Sequence, residues 1–366
     1  MTTPPTDWLV ADDVWWGRRI GPAALPLAGG DVVGSPVAVA RLPAGAPVRR
    51  LPGTLLPGLC DAHVYSARVD LVVVRAAGIA AVWDLGGAPA RVAALRERSL
   101  AEVSPLPRVT MAGPLLTAPG DCRGDLAWVP AAARREIRSV TDAADAVAEL
   151  AALRVGLVSV VLAAEGPVLS PAAVRTIVSE AHVRSLPVIV HADGSAMVAA
   201  AVDAGADLLA RTPATEPLDR ALVRTAAEQM TWLSTLDRLD GEVPGAQRRQ
   251  LAVGNLRRFL GYGGNVRYGT DPGGARPVGT EPGDPRSVDA DPRRTRPAPA
   301  DEGVNRREIR ALQEAGMSPE QILHAMTGDR AGVPPCWVPG GLDLDPARFA
   351  DVLATVRVVG PQVRPR

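Results

Sequence analysis

From about residue 53 onward, short β-rich runs alternate with helical patterns, and this alternation limits the possible folds more than any other feature of the chain. A strand that must pair in parallel with the next one needs a crossover, usually a helix, to carry the chain back to the starting edge. Eight such runs can be counted, at 56–65, 79–85, 108–115, 157–163, 187–191, 207–211, 231–236 and 266–271. The clearest intervening helices are expected at 141–153, at 171–185 behind the cap Ser170, and at 194–204, where Gly205 stops the pattern. Eight β-α units are the count of a (β/α)8 TIM barrel, and the predicted fold class is α/β, with that barrel over 53–334.

The first 52 residues differ. They are rich in Gly, Pro and Val, contain an extended run at 32–42 and show no convincing helix. The other end of the chain is again extended at 356–359 and Val363. The expectation is a small β-sandwich-like domain built from both termini, 1–52 and 335–366. Trp15 and Trp16 are expected to pack within it. Between 272 and 303 the sequence is crowded with Pro, Gly, Asp and Arg, too polar to offset its own ordering entropy. A mobile loop at the mouth of the barrel is expected there.

All of the 40 basic residues counted as Lys or Arg are arginine. Without lysine there can be no Walker-type phosphate loop, no Schiff-base chemistry and no pair of metals bridged by a carboxylated lysine. The formal net charge of zero gives no electrostatic reason to expect nucleic acid or an anionic membrane as partner; a small-molecule ligand or substrate is expected instead, and oligomeric state is left open. Cys60, Cys122 and Cys336 lie far apart without C-x-x-C spacing, which fits a reducing cytoplasm. The first ten residues do not read as a signal peptide, and the apolar stretches at 71–74 and 155–164 fall well below the roughly 20 residues that span a bilayer.

In a barrel of parallel strands the reactive groups sit at the C-terminal strand ends. The first run ends Asp61-Ala62-His63-Val64-Tyr65, and strand periodicity puts Asp61, His63 and Tyr65 on one face with Cys60 on the other. The fifth run ends in His191, the sixth in Arg211 and the eighth in Asp271. Two imidazoles and a carboxylate are ordinary ligands for a divalent metal. His182 and His324 fall in helical patterns, Asp84 precedes Gly86-Gly87 as a turn-capping residue would, and Glu165 is a loop acid able to substitute as a bridging carboxylate.

The segment Leu55-Leu56-Pro57-Gly58-Leu59-Cys60-Asp61-Ala62-His63-Val64-Tyr65 resembles the opening "LPGLIDAHVH" of the amidohydrolase superfamily, especially its imidazolonepropionase-like branch. Further segments follow in the same order: Val190-His191-Ala192 with Ala204-Gly205-Ala206-Asp207, then Tyr268-Gly269-Thr270-Asp271, then Ala315-Gly316-Met317-Ser318-Pro319-Glu320 running into Ala325-Met326-Thr327. The resemblance implies a metal-dependent hydrolase of amide or other C–N bonds, with a His-x-His pair on strand one, a bridging residue on strand four, histidines on strands five and six and an aspartate on strand eight. His63, His191 and Asp271 match those positions, whereas Tyr65, Ser159 and Arg211 stand where the remaining three ligands belong. A guanidinium stays protonated and cannot ligate a metal, and a serine cannot bridge two ions as a carbamate does. Two outcomes follow. Either one divalent metal, zinc by ligand type, is held by His63, His191 and Asp271, with Asp271 as the catalytic proton acceptor. Or there is no metal, Arg211 pairs with Asp271 or an anion, and Tyr65, Arg211 and Ser159 contact a ligand. The first is a hydrolase using at most one metal, and the second a catalytically dead barrel that binds or regulates.

Overall fold

Valine-rich runs between turn signals become strands, and capped alanine-rich stretches become helices. The computed structural model describes residues 4–101, 104–121, 129–164, 166–239, 243–272, 303–328 and 332–360. In chain order the strands are β1 (Asp7–Trp15), β2 (Arg19–Ala28), β3 (Asp31–Val32), β4 (Val48–Leu56), β5 (Cys60–Val64), β6 (Ala81–Asp84), β7 (Arg108–Met111), β8 (Leu115–Thr117), β9 (Arg134–Glu136), β10 (Val158–Leu162), β11 (Val188–Ala192), β12 (Leu208–Leu209), β13 (Thr231–Leu233), β14 (Asn265–Arg267), β15 (Cys336–Val338) and β16 (Arg357–Val358). The helices are α1 (Leu71–Ala76), α2 (Pro89–Leu100), α3 (Val140–Ala152), α4 (Pro171–Val183), α5 (Ser195–Asp203), α6 (Arg220–Gln229), α7 (Val243–Gly261), α8 (Arg306–Glu314), α9 (Pro319–Met326) and α10 (Pro346–Leu353).

The fold is mixed α/β. A seven-stranded sheet runs β14-β13-β12-β11-β10-β8-β9 with every pair parallel, and a three-stranded parallel sheet runs β5-β6-β7. Backbone hydrogen bonds connect the two. Ala62 N–H donates to the Tyr268 carbonyl and Asp271 N–H to the His63 carbonyl, each at 2.9 Å, on one side. On the other, Gly156 N–H donates to the Met111 carbonyl at 2.9 Å.

Strand alternation separates the core into two layers. Val158, Val160 and Leu162 of β10 and Val188 and Val190 of β11 face the helices, where α4 buries Val174, Ile177, Val178 and Ala181. That spacing is one helical stripe, and each large side chain fully buried contributes about 1.5–3 kcal/mol. Ile189, Leu157, Leu208, Ala210, Leu233 and Ala62 face the opposite way and form a separate inner cluster. Ser159 and His191 share that inner face because they lie two residues beyond Leu157 and Ile189. The helix starts follow side-chain capping. Ser139 accepts from Asp142 N–H ahead of α3, and Ser170 accepts from Ala173 N–H ahead of α4.

Both ends of the chain contribute to a third, six-stranded sheet, β16-β15-β4-β1-β2-β3. β15 pairs antiparallel with β4 through Cys336–Leu56, Trp337–Leu55 and Val338–Thr54. Trp15 is fully buried in the main core rather than within the sheet's own cluster, edge-on to His324 at 5.2 Å, so it joins the sheet to the helical layer. Trp16 packs on the sheet's own cluster.

Several expected runs are shorter than their sequence suggests. The extended run at 32–42 keeps only β3, a single bridge from Val37 to Ala24 and a 3-10 turn at Val39–Arg41, since Pro36 has no N–H to continue a ladder. The run at 108–115 is broken into β7 and β8 because Gly113 takes a left-handed φ of 74° and Pro114 follows it. The sixth run reduces to β12. The seventh stops at Leu233, just before Thr235 enters the left-handed region at φ 46°, and the eighth stops at Arg267, short of Asp271 at φ 45°. In the C-terminal segment α10 precedes the extended stretch, while Val363 and most of the expected loop at 272–303 lie outside the described residues. Among the described residues no helix is long and apolar enough to cross a membrane.

Candidate functional site

At the end of β5 the pairing with β6 is irregular between Asp61 and Val64, so that strict alternation is interrupted: Ala62 joins the inner cluster, His63 reaches the other strand-end side chains, and Cys60 packs in the helix-facing core. Asp61 serves the backbone. Its Oδ1 accepts from His63 N–H and Thr270 N–H at 3.0 Å each, and its Oδ2 accepts from the Thr270 hydroxyl. Burial pushes its carboxyl up to about 7 against those three bonds. This stitch brings the segment after β14 against β5. The approach is so close that a Cβ on Gly269 would lie 2.9 Å from the His63 Cβ, which is why a glycine stands there.

His63 is fully buried. Its Nδ1 lies 2.7 Å from the Ala210 carbonyl, and since a carbonyl can only accept, Nδ1 carries the proton. Its Nε2 faces Asp271 Oδ1 at 3.7 Å, beyond hydrogen-bond reach. Burial holds the ring's pKa down to about 4, outweighing the pull of Asp271, so the imidazole is neutral at pH 7. At the end of β11, His191 Nε2 meets the Ser159 hydroxyl at 3.1 Å, and burial with the nearby Arg211 charge lowers its pKa as well. Tyr65 completes an aromatic group, its ring 5.4 Å from His63 and 6.4 Å from His191. Burial raises its phenol further above its ordinary value.

Asp271 is the electrostatic centre. Arg211 Nη2 reaches its Oδ2 at 2.7 Å and Arg238 Nε reaches the same oxygen at 2.9 Å. Burial alone would raise this carboxyl, but Arg211, His63 and Arg238 outweigh it and hold it well below the usual carboxylate range. Asp271 is therefore ionised at any ordinary pH, and its base character is suppressed. Its left-handed φ of 45°, unusual for a non-glycine residue, adds backbone strain at this position.

The six residues read from the sequence thus converge. His63, Tyr65, Ser159, His191, Arg211 and Asp271 lie around one another at the C-terminal strand ends. Among the described residues no group of three or more His, Cys, Asp and Glu is placed to hold a metal ion. The carboxylate of Asp271 is gripped, among the described residues of the cluster, by two guanidiniums, which cannot themselves ligate a metal. Asp84 is a structural acid, accepting from the Ser66 hydroxyl, while His182 pairs with Asp207 at 2.8 Å on the surface. Glu165 and Cys122 lie outside the described residues.

Two contributors escaped the sequence. Arg238 lies beyond β13 in a 3-10 turn at Asp237–Leu239, two positions past the last residue of the expected seventh run. The other is Glu308 in α8, whose buried carboxylate accepts from Leu236 N–H at 3.0 Å and Asp237 N–H at 2.7 Å. Glu308 thereby fixes the turn that aims Arg238. Burial pushes it up to about 7 against the hydrogen bonds it accepts. The only signal for Glu308 was a carboxylate three residues after the capping residue Asn305, which reads as an ordinary helix start.

No family model matches the sequence, and no curated protein matches it. Solved structures do. The chain is similar to the A. niger ochratoxinase, with a TM-score of 0.73, 17% identity, and 99% of this chain and 97% of that one covered. It is similar to molinate hydrolase, with a TM-score of 0.72, 15% identity, and 98% and 94% covered. It is also similar to a protein described as an amidohydrolase, with a TM-score of 0.70, 18% identity, and 97% and 98% covered. At these identities the likeness is one of fold, and the chain has an amidohydrolase-type fold.

Proposed function

We propose that this chain is a (β/α)8 barrel of the amidohydrolase type that binds a small molecule at its strand ends without a two-metal hydrolytic centre. The observation that carries this reading is the grip of Arg211 and Arg238 on Asp271 Oδ2, at 2.7 and 2.9 Å. Two unit charges 4 Å apart interact by about 4 kcal/mol at an effective dielectric of about 20, and by about twice that when one is a dication. Two guanidiniums beside the site therefore oppose metal binding strongly, and they supply the positive charge that a metal would otherwise bring. Barrel closure is supported by the backbone hydrogen bonds linking β5 to the segment after β14 and β7 to the residue before β10. In this reading the barrel spans 53–334, and 1–52 with 335–366 form the small β domain. The shared sheet order of β4 and β15 supports that division.

A second reading has one observation in its favour. His63 Nε2, His191 Nδ1 and Asp271 Oδ1 are buried atoms without a hydrogen-bond partner, as the donors of a single zinc would be before loading. That reading makes the chain a hydrolase of amide or other C–N bonds at one metal. Elemental analysis of protein purified without chelator separates the two. We expect well under one equivalent of metal per chain. One firmly held equivalent would support the mononuclear hydrolase, and two would remove both readings.

A further inference from the structure

We propose that this chain carries a further small-molecule site, on the helix side of the parallel strands, that takes an elongated apolar carboxylate. None of the residues that form it belongs to the cluster at the strand ends, so it stands independently of the reading above.

The site begins with a gap between two helices. α2 packs on β7 and α3 on α4, and Arg96 Nη1 of α2 reaches across to the Leu153 carbonyl just past α3, at 3.1 Å. The interruption between β7 and β8 shapes the space beside them. Gly113 takes its left-handed φ of 74° there, at a point where a Cβ would lie 3.0 Å from Leu150 Cδ2, and Pro114 follows it. The result is a cavity of about 340 Å³ walled by Pro89, Pro114, Ala146, Leu150 and Leu153. The last three recur at the spacing of one helical stripe. Small-molecule pockets span about 300–1,000 Å³ and are mostly apolar, with a few placed polar groups that fix orientation.

Arg134, half-buried at the start of β9, is the placed polar group. Its Nη1 donates to the Asp121 carbonyl at 3.3 Å. The carboxylates nearby are held by other arginines. Arg135 Nε and Nη2 take Glu149 at 2.9 and 3.1 Å, Arg135 Nη2 also takes Asp142 at 2.7 Å, and Arg138 Nη2 takes Glu136 at 2.7 Å. The charges of these three arginines balance those of the three acids, so selection rests on donor geometry and apolar contact. A guanidinium carries five N–H donors in a planar fork, and the two oxygens of a carboxylate match that fork where a single hydroxyl does not. The carboxylate therefore rests on Arg134, and the apolar body lies along Leu150 and Leu153.

The test titrates butyrate, octanoate and 1-octanol into the full chain, read by calorimetry. Each methylene removed from water is worth about fourfold in affinity, so octanoate is expected to bind about tenfold or more tighter than butyrate. It is expected to bind about fivefold tighter than 1-octanol, the upper range for a partly solvated ion pair. Arg134→Gln is expected to bring octanoate down to the level of 1-octanol. Ala132 lines the same cavity from an exposed position in the 3-10 turn at Ala131–Ala133, so Ala132→Trp obstructs the cavity from its rim. That variant is expected to weaken octanoate about tenfold. Octanoate that binds no tighter than butyrate or 1-octanol, or does not bind at all, would overturn the proposal. Octanoate binding that Ala132→Trp leaves unchanged would overturn it too, because the ligand would then lie elsewhere, the strand ends included. The wild-type comparison of octanoate with 1-octanol decides even where a variant does not fold.

Discussion

Asp31 and Asp271 both lie against arginine, one where the six-stranded sheet meets the parallel strands and the other at the ends of those strands. Among the described residues Asp31 forms one ion pair, with Arg108 at 2.5 Å, and both side chains keep 17–20% of their surface. Its carboxyl is raised, because burial outweighs what the paired Arg108 and the more distant charge of Arg75 return. Asp271 is almost wholly buried, yet its carboxyl is lowered, because two guanidiniums and two imidazoles act on it. What separates them is the number of direct guanidinium contacts set against burial, one at Asp31 and two at Asp271. One arrangement joins two parts of the fold, whereas the other gathers two guanidiniums on one oxygen of a buried carboxylate at the strand ends.

The strongest challenge to this contrast is Asp271→Asn. Removing the shared anion leaves two guanidiniums facing a neutral amide in a nearly dry site, and breaking a buried pair in this way costs about 3–5 kcal/mol. Urea unfolding should show a loss of that order at pH 7. The folded-state pKa of Asp271 lies below its ordinary 3.8, so its contribution is present above that value and is lost as pH falls through the folded value. The stability gap between wild type and variant should accordingly narrow in acid. A loss below 1 kcal/mol would mean that the grip seen in the structure does not hold in solution.

A smaller effect is expected at Glu308, whose position tests whether the turn carrying Arg238 is held from outside the cluster. Glu308→Gln places an amide N–H₂ against one of the two backbone N–H groups now bound, at a cost of about 1–3 kcal/mol. The pH dependence has the opposite sign to that of Asp271. With its pKa raised from 4.5 to about 7, Glu308 contributes stability that is fully present below 4.5 and is lost as pH rises through about 7. The melting-temperature difference between wild type and Glu308→Gln should therefore be larger at pH 5 than at pH 8. A difference that grows with pH would refute the buried-acid assignment.

The least effect belongs to Asp31→Asn. One partly solvated ion pair contributes about 0–1 kcal/mol, and its replacement should fall within that range. Because the Asp31 pKa is raised above 3.8, its contribution is present below that value and lost as pH rises, so the variant should gain on wild type above pH 4. Equal losses for Asp31→Asn and Asp271→Asn in parallel unfolding curves would erase the distinction between the two contacts.

Much of the architecture was legible before any coordinates. The order of parallel strands and the helices α3 and α4 follow from periodicity, and the start of α4 from the cap Ser170, which are local signals. The inward placement of Ser159 and His191 follows from strand alternation, and His63 and Asp271 were marked by motif. The break between β7 and β8 was hidden because Val109 to Leu115 reads as one apolar run, with Gly113 and Pro114 as its only warning. Arg238 was hidden because it belongs to a turn, where neither period of 2 nor of 3.6 says which way a side chain points.

The sequence by itself determined which chemistries were available: no lysine, an arginine at the end of the sixth run, and two histidines and an aspartate at strand ends. Local backbone preference extends over a few residues, and those choices lie within its reach. Only the tertiary structure decided who pairs with whom. Arg211 meets Asp271 across 60 residues, His63 meets the Ala210 carbonyl across 147, and Thr270 meets Asp61 across 209. Protonation followed from those meetings. A pKa depends on burial and on charges a few ångströms away in space, and neither distance is fixed until the chain has closed on itself.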